Sequence, residues 1–127
     1  MILLLDTHVF LWWDSGHAAL KPDARGMIED AGNRVLVSAA SVWEIAIKRR
    51  AGKLDFDGSP TAAITANGFE DLAILPIDAE QAGELAWSHA DPFDRLLVVQ
   101  ARRLAATLVT ADALVQAFGS VPLLWAG

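Results

Sequence analysis

Two periodicities alternate along this chain. Short apolar runs rich in Leu, Ile and Val recur at residues 2–5, 34–37, 73–77, 107–110 and 121–124. None alternates strictly between polar and apolar positions, so each predicts a strand buried on both faces. Between the runs the spacing becomes helical. Thr7 to Asp14 predicts a short helix with Leu11 and Trp12 on one side, and Lys21-Pro22-Asp23 opens a second. Ser38 to Arg50 predicts a third, whose stripe of Val42, Ile45 and Ala46 lies opposite Lys48 and Arg49, with Gly52 placed to end it. Ser59-Pro60 begins a fourth that stops near Gly68, and Asp78 caps a fifth running to Trp87. Asp91-Pro92 opens a sixth reaching Ala105, and a short seventh follows Asp112.

Strands alternating with helices imply a mostly parallel sheet. The expected architecture is a three-layer α/β/α sandwich around a five-stranded, mostly parallel sheet, formed by a single domain over residues 1–127. No repeat, low-complexity tract or linker interrupts it. A hydrophobic fraction of 54%, with five Trp and five Phe, is ample for a packed interior and excludes a disordered chain. No segment approaches the roughly 18 apolar residues of a membrane span. The opening apolar run has no basic stretch before it and meets Asp6 at once, so it reads as a strand rather than a signal peptide. The chain contains no Cys, which removes disulfides, thiolate catalysis and iron–sulfur clusters and is compatible with a reducing cytoplasm. A metal ion would have to be held by oxygen, or by His8, His17 or His89.

Four carboxylates stand where strands give way to helices: Asp6, Glu44, Asp94 and Asp112. In a parallel sheet the C-terminal ends of all strands open on one edge, so acids far apart in sequence can meet there. Each acid also has an ordinary structural role open to it. Glu44 lies three residues after Ser41 and four before Lys48, Asp94 lies three after Asp91, Asp112 follows Thr110 by two, and Asp6 simply ends a strand. Capping and coordination are compatible, since Asp91 can cap while Asp94 shares a helix face with Leu97, Val98 and Ala101, the side that should pack on the sheet. Four acids at one edge suit a hard divalent cation such as Mg²⁺.

The net charge of −6 is unusual for a protein that binds phosphates, though two divalent ions would bring it to −2. The basic residues are grouped, with Lys48, Arg49, Arg50 and Lys53 in one stretch and Arg95, Arg102 and Arg103 in another.

Four blocks, Leu-Leu-Asp-Thr-His-Val-Phe-Leu-Trp-Trp, Val-Ser-Ala-Ala-Ser-Val-Trp-Glu-Ile-Ala-Ile-Lys, Asp-Pro-Phe-Asp-Arg-Leu-Leu-Val-Val-Gln-Ala and Leu-Val-Thr-Ala-Asp, together resemble the PIN-domain ribonucleases, specifically the VapC toxins of bacterial toxin–antitoxin pairs. The resemblance runs to about residue 125. It implies a PIN-like fold and an acidic quartet at Asp6, Glu44, Asp94 and Asp112, with Mg²⁺ or Mn²⁺ held chiefly by Asp6 and Asp94. Thr110 matches a supporting hydroxyl, with Thr7 and Ser38 as further candidates. The implied activity is metal-dependent hydrolysis of RNA phosphodiester bonds by an activated water, with Glu44 and Asp112 holding a second ion or orienting the nucleophile. Charge grouping adds Lys48 and Arg95 as candidate grips on flanking phosphates. The implied partners are an RNA substrate, a VapB-type antitoxin that inserts into the active-site groove, and a second copy of the chain. Phe10, Trp12, Trp13 and Trp43 are candidates for lining that groove. Between Trp87 and Asp91 similar proteins often carry more basic residues, whereas here the segment is Ser-His-Ala.

Two other readings remain open at this point. An inactive PIN-like domain would only bind. A receiver-type signalling domain would also place acids and Mg²⁺ at a parallel sheet's edge, but it calls for paired acids after the first strand and a late Lys. Here Asp6 is followed by Thr7 and His8, and the lysines are Lys21, Lys48 and Lys53.

Overall fold

The computed structural model describes residues 1–127. Five strands, β1 (Ile2–Leu5), β2 (Arg34–Ser38), β3 (Glu70–Leu72), β4 (Thr107–Thr110) and β5 (Leu123–Trp125), form one sheet in the order β3-β2-β1-β4-β5. Every pairing is parallel. The chain steps outward from β1 to β2 and β3, then crosses back to β4 on the other side of β1. That reversal creates a crevice at the carboxyl ends of β1 and β4, the place where open α/β sheets bind their ligands.

Successive side chains of a strand point to opposite faces, and here both faces are buried. Leu3, Leu5, Val35, Val37 and Val109 pack with Val9 and Phe10 of α1 (Thr7–Ser15), Ala24 and Ile28 of α2 (Pro22–Glu29), Ile45 of α3 (Ala39–Arg50) and Ile64 of α4 (Pro60–Ala66). Leu4, Leu36 and Leu108 face the other way, against Leu97, Val98 and Ala101 of α6 (Pro92–Leu104) and Val115 of α7 (Ala113–Phe118). The result is the expected three-layer sandwich. No helix is long and apolar enough to cross a membrane.

The helix starts follow local chemistry. Ser38 and Ser59 cap α3 and α4 through their hydroxyls, and Pro22, Pro60 and Pro92 occupy first-turn positions where no N–H is needed. Three boundaries differ from the hydrophobic reading. The third strand was expected at 73–77 but lies at Glu70–Leu72. It is an edge strand, so its first two residues stay exposed, and Arg34 grips Glu70 across the pair through two hydrogen bonds of 3.0 and 2.9 Å. The apolar run that follows leads instead into α5 (Pro76–Glu84), which Pro76 opens two residues before Asp78. Asp78 does cap this helix, from its third position, by accepting the Leu75 N–H at 2.9 Å. The helix ends at Glu84 rather than Trp87 because the Arg95 guanidinium takes the carbonyls of Ala82, Gly83 and Leu85. The fifth strand starts at Leu123 rather than 121, with the Pro122 carbonyl accepting the Leu108 N–H at 2.9 Å.

Asp78 is fully buried and receives two hydrogen bonds from Arg103, of 2.7 and 3.0 Å, which lock α5 to α6. Burial alone would raise its carboxyl, but the guanidinium and the Leu75 N–H hold it below the usual range. Arg103→Ala should lower the unfolding free energy by about 2 kcal/mol, less than for a fully buried pair because the guanidinium keeps solvent contact. Asp78 stabilises the fold above its unfolded pKa of about 4, and that contribution disappears as pH falls through its lower folded value. Urea melts should therefore show the gap between Arg103→Ala and wild type narrowing in acid; a gap that widens there would contradict this account.

Candidate metal centre

At the crevice, Asp6 ends β1 and begins α1. One carboxylate oxygen accepts the Val9 N–H at 2.9 Å as the helix cap, and the other accepts the Thr110 hydroxyl from the end of neighbouring β4. The register makes this contact inevitable, because Leu5 pairs with Val109 and the Asp6 N–H donates to the Val109 carbonyl at 2.9 Å. Thr110 in turn accepts the Asp112 N–H at 3.0 Å, and Asp112 caps α7 through the N–H groups of Leu114 and Val115. The Thr110 hydroxyl thus links the Asp6 carboxylate to the Asp112 backbone N–H across the switch point between β1 and β4. Asp6 and Asp112 line one cavity of about 330 Å³ with His8 and Trp12.

The third segment arrives from α6. Asp91 caps that helix by accepting the N–H groups of Phe93 and Asp94, which leaves the Asp94 side chain to reach inward. Its Oδ2 lies 2.7 Å from His89 Nε2. Ligand atoms of His89, Asp94 and Asp112 all lie within 4.8 Å of one another. Asp112 is therefore the common neighbour, facing Asp6 on one side and Asp94 on the other.

The other expected residues are distributed differently. Glu44 is buried on α3 and bound by Lys48 one turn on, at 2.6 Å. Thr7 donates to the Ser41 hydroxyl at 2.9 Å, tying α1 to α3 one turn before Glu44. Ser38 caps α3 while donating to the buried Gln100 at 2.6 Å, so it braces the helices instead of touching the three clustered acids. Arg95, a candidate for gripping phosphate, is committed elsewhere. Its guanidinium makes five hydrogen bonds to backbone carbonyls, two of them, to Trp87 and His89, holding the loop before α6. The aromatic candidates also separate. Phe10 is core, Trp13 packs on Phe69 and donates to Asn67, Trp12 lines the acidic cavity, and Trp43 is 53% exposed against Phe93.

His89, one of three histidines open to metal binding on composition alone, gains its specific contact only from the fold. Its spacing before Asp94 carries no helical or strand period, so no local pattern announces the contact.

Electrostatics set this site apart. Burial raises the Asp6 carboxyl despite the hydrogen bonds from Thr110 and Val9, and nearby Asp112 adds to the rise. Burial also pushes Asp94 up to about 6, with the His89 hydrogen bond opposing and Asp91 and Asp112 reinforcing the shift. Other acids have dedicated cations: Glu44 has Lys48, Glu70 has Arg34 and Asp78 has Arg103. The crevice acids have only imidazoles, His89 bonded to Asp94 and His8 beside Asp6. Buried carboxyls at Asp6 and Asp94, each pushed up in part by Asp112 and with no Lys or Arg beside them, are a donor set suited to a divalent metal ion.

An open parallel α/β sheet with carboxylates gathered at its switch point defines a class of acid-centred α/β domains. The sequence profile of the PIN domain matches residues 3–119, and the chain belongs to that family. It is 36% identical over 70 residues to ribonuclease VapC16 of Mycobacterium tuberculosis, a match covering 52% of this chain and 49% of that protein. The chain thus spans about half the length of this curated relative. Among solved structures, VapBC2 from Rickettsia felis bound to a promoter DNA fragment is similar with a TM-score of 0.70 and 16% identity, covering 100% of both chains. A toxin–antitoxin complex from Klebsiella pneumoniae gives a TM-score of 0.66 and 16% identity, covering 96% of this chain and 95% of that one. VapBC-1 from nontypeable Haemophilus influenzae gives 0.63 and 17%, covering 98% and 97%. At these identities the structural likeness establishes a shared fold.

The raised Asp94 pKa has a measurable consequence. A carboxyl that binds its proton more tightly folded than unfolded stabilises the fold below the unfolded pKa, and that contribution is lost as pH rises through about 6. The melting temperature of the metal-free protein should therefore rise as pH is lowered from 7 to 5. Asp94→Asn should flatten this slope, and an unchanged slope in the variant would rule out Asp94 as its source.

Proposed function

We propose that this protein is a metal-dependent endoribonuclease and the toxin of a VapBC-type toxin–antitoxin pair. The reading rests above all on Asp112, which shares a cavity with Asp6 and a cluster with Asp94 and His89 at the edge of a PIN-domain sheet. Kinship with a protein named a ribonuclease supports the activity, and structural likeness to toxin–antitoxin complexes supports the partner.

Asp6, Asp94 and Asp112 would hold Mg²⁺ or Mn²⁺, with Glu44 joining when Lys48 is drawn away. A divalent ion in such a site supplies Lewis acidity to a water and to the scissile phosphate, and neutralises developing charge. The protein contributes orientation. Thr110 fixes the rotamer of Asp6, the Asp91 cap fixes the first turn carrying Asp94, and the backbone N–H groups of α7 fix Asp112. Rigid carboxylates need little rearrangement during reaction, which is how preorganised sites lower a barrier. Water adds to phosphorus, the bond to one ribose oxygen breaks, and the departing oxygen takes a proton. No covalent enzyme intermediate is required.

Substrate contact is a matter of few cations. Lys48 pairs with Glu44, Arg49 donates to the carbonyls of Phe56 and Gly58, and Arg95 and Arg103 are internal braces. Lys48, paired with Glu44, is the remaining candidate phosphate contact, whereas Arg95 acts on the loop. A small VapB-type antitoxin and a second copy of the chain are the proposed protein partners.

Purified protein should cleave RNA with Mn²⁺ or Mg²⁺ and lose the activity with EDTA. Asp6→Asn and Asp94→Asn should each reduce the rate at least about a hundredfold while remaining folded, the scale on which removing a directly acting group is felt. Variants as active as wild type, or cleavage indifferent to EDTA, would overturn this mechanism, whereas no cleavage with either metal would leave a binding module. Growth arrest on expression, relieved by a co-expressed antitoxin, tests the toxin assignment separately.

A further inference from the structure

We propose that His89 is itself a metal ligand, completing with Asp94 and Asp112 a mixed nitrogen–oxygen site that favours a first-row transition-metal ion over Mg²⁺. The inference deepens the metal-centre reading and rests on it, but it does not depend on RNA being the substrate. A residue that merely hydrogen-bonds Asp94 has no need to approach Asp112, yet His89 Nε2 lies 2.7 Å from Asp94, and a His89 ring nitrogen lies within 4.8 Å of a carboxylate oxygen of Asp112. Donor atoms at adjacent vertices of a divalent ion with bonds of about 2.1 Å lie about 3 Å apart, and those at opposite vertices about 4.2 Å. Small side-chain rotations bring the three atoms into that range.

The imidazole is also held in place from both sides. The Arg95 guanidinium donates to the carbonyls of Trp87 and His89 at 2.8 and 3.1 Å, pinning the loop to α6. The Trp87 ring lies 4.9 Å from the His89 ring and stacks on Phe118 at 4.4 Å and 7°. Phe118 belongs to α7, the helix that Asp112 caps. One aromatic contact chain therefore positions His89 against α7, the element that Asp112 begins, while one guanidinium positions it against the element that carries Asp94. Ligands locked by packing and surrounding hydrogen bonds in this way are the ones that discriminate among metals. The discrimination follows from the donor atom. Imidazole nitrogen suits Co²⁺, Ni²⁺ and Zn²⁺, and Mn²⁺ accepts it among oxygen ligands, whereas Mg²⁺ prefers an all-oxygen shell that keeps several waters. Arg95 is accordingly a positioning residue for the centre.

Titration calorimetry without RNA provides the test, comparing Mn²⁺ with Mg²⁺ on the intact protein. Wild type should bind Mn²⁺ at least about tenfold more tightly than Mg²⁺. His89→Gln keeps an amide to hydrogen-bond Asp94, and it should lose about tenfold or more in Mn²⁺ affinity with Mg²⁺ affinity nearly unchanged. Electron spin-echo spectroscopy of bound Mn²⁺ should show nitrogen coupling that vanishes in His89→Gln and persists in His8→Gln. Equal losses for both ions, no loss of Mn²⁺ affinity, or coupling that survives in His89→Gln would each overturn the assignment. Selective Mn²⁺ binding by a protein that leaves RNA intact would support the ligand and overturn the ribonuclease reading alone.

Discussion

Repulsion between desolvated carboxylates is the constraint around which this molecule is arranged. The Asp94 and Asp112 oxygens lie within 4.8 Å of each other, and two unit charges that close at an effective dielectric of about 20 repel by about 3.5 kcal/mol, a substantial share of the roughly 5–15 kcal/mol that stabilises a typical domain. The chain keeps these acids together by giving each a second attachment. Asp6 and Asp112 accept backbone N–H groups as helix caps, and Asp94 sits one turn inside a helix that Asp91 caps for it. Capping therefore does not compete with a chemical role at this edge. It supplies part of the attraction that offsets the repulsion and aims the free oxygens.

The same logic explains where the positive charge went. A protein of net charge −6 with ten Lys and Arg residues has few cations to place, and this one uses several to build its frame. Arg103 clamps Asp78 between α5 and α6, Arg95 collects the carbonyls at the end of α5 and of the following loop, and Arg34 ties the edge strand β3 to β2. None of these serves as a fixed counter-ion at the crevice. The acids at the crevice are left to the imidazoles of His89 and His8 and to whatever cation enters.

Much of this architecture was legible in the residues. The central strands β1, β2 and β4 had to be apolar on both faces because helices cover both, and that is why continuous Leu and Val runs located them. Helix starts were equally plain where Ser38, Ser59-Pro60 and Asp91-Pro92 supply caps and preset backbone angles. The edges were less legible for a physical reason. An edge strand such as Glu70–Leu72 needs only one covered face and one partner, so it carries no hydrophobic signature, while the apolar run after it belongs to the approach to a helix.

The candidate site divides in the same way. Sequence alone read Asp6, Glu44, Asp94 and Asp112 as standing at strand-to-helix junctions; Asp6 and Asp112 do, whereas Glu44 lies in the second turn of α3 and Asp94 in α6, which follows α5 rather than a strand. Tertiary structure decided which neighbours each acid has. It joined Asp6 to Asp112 through Thr110, because β1 and β4 pair in a particular register, and it gave Glu44 to Lys48. It also withdrew Arg95 from solvent and brought His89 to Asp94. Those contacts depend on strand register, a loop conformation and the packing of α6 against α7, all of which arise from interactions between distant segments and leave no period in the sequence.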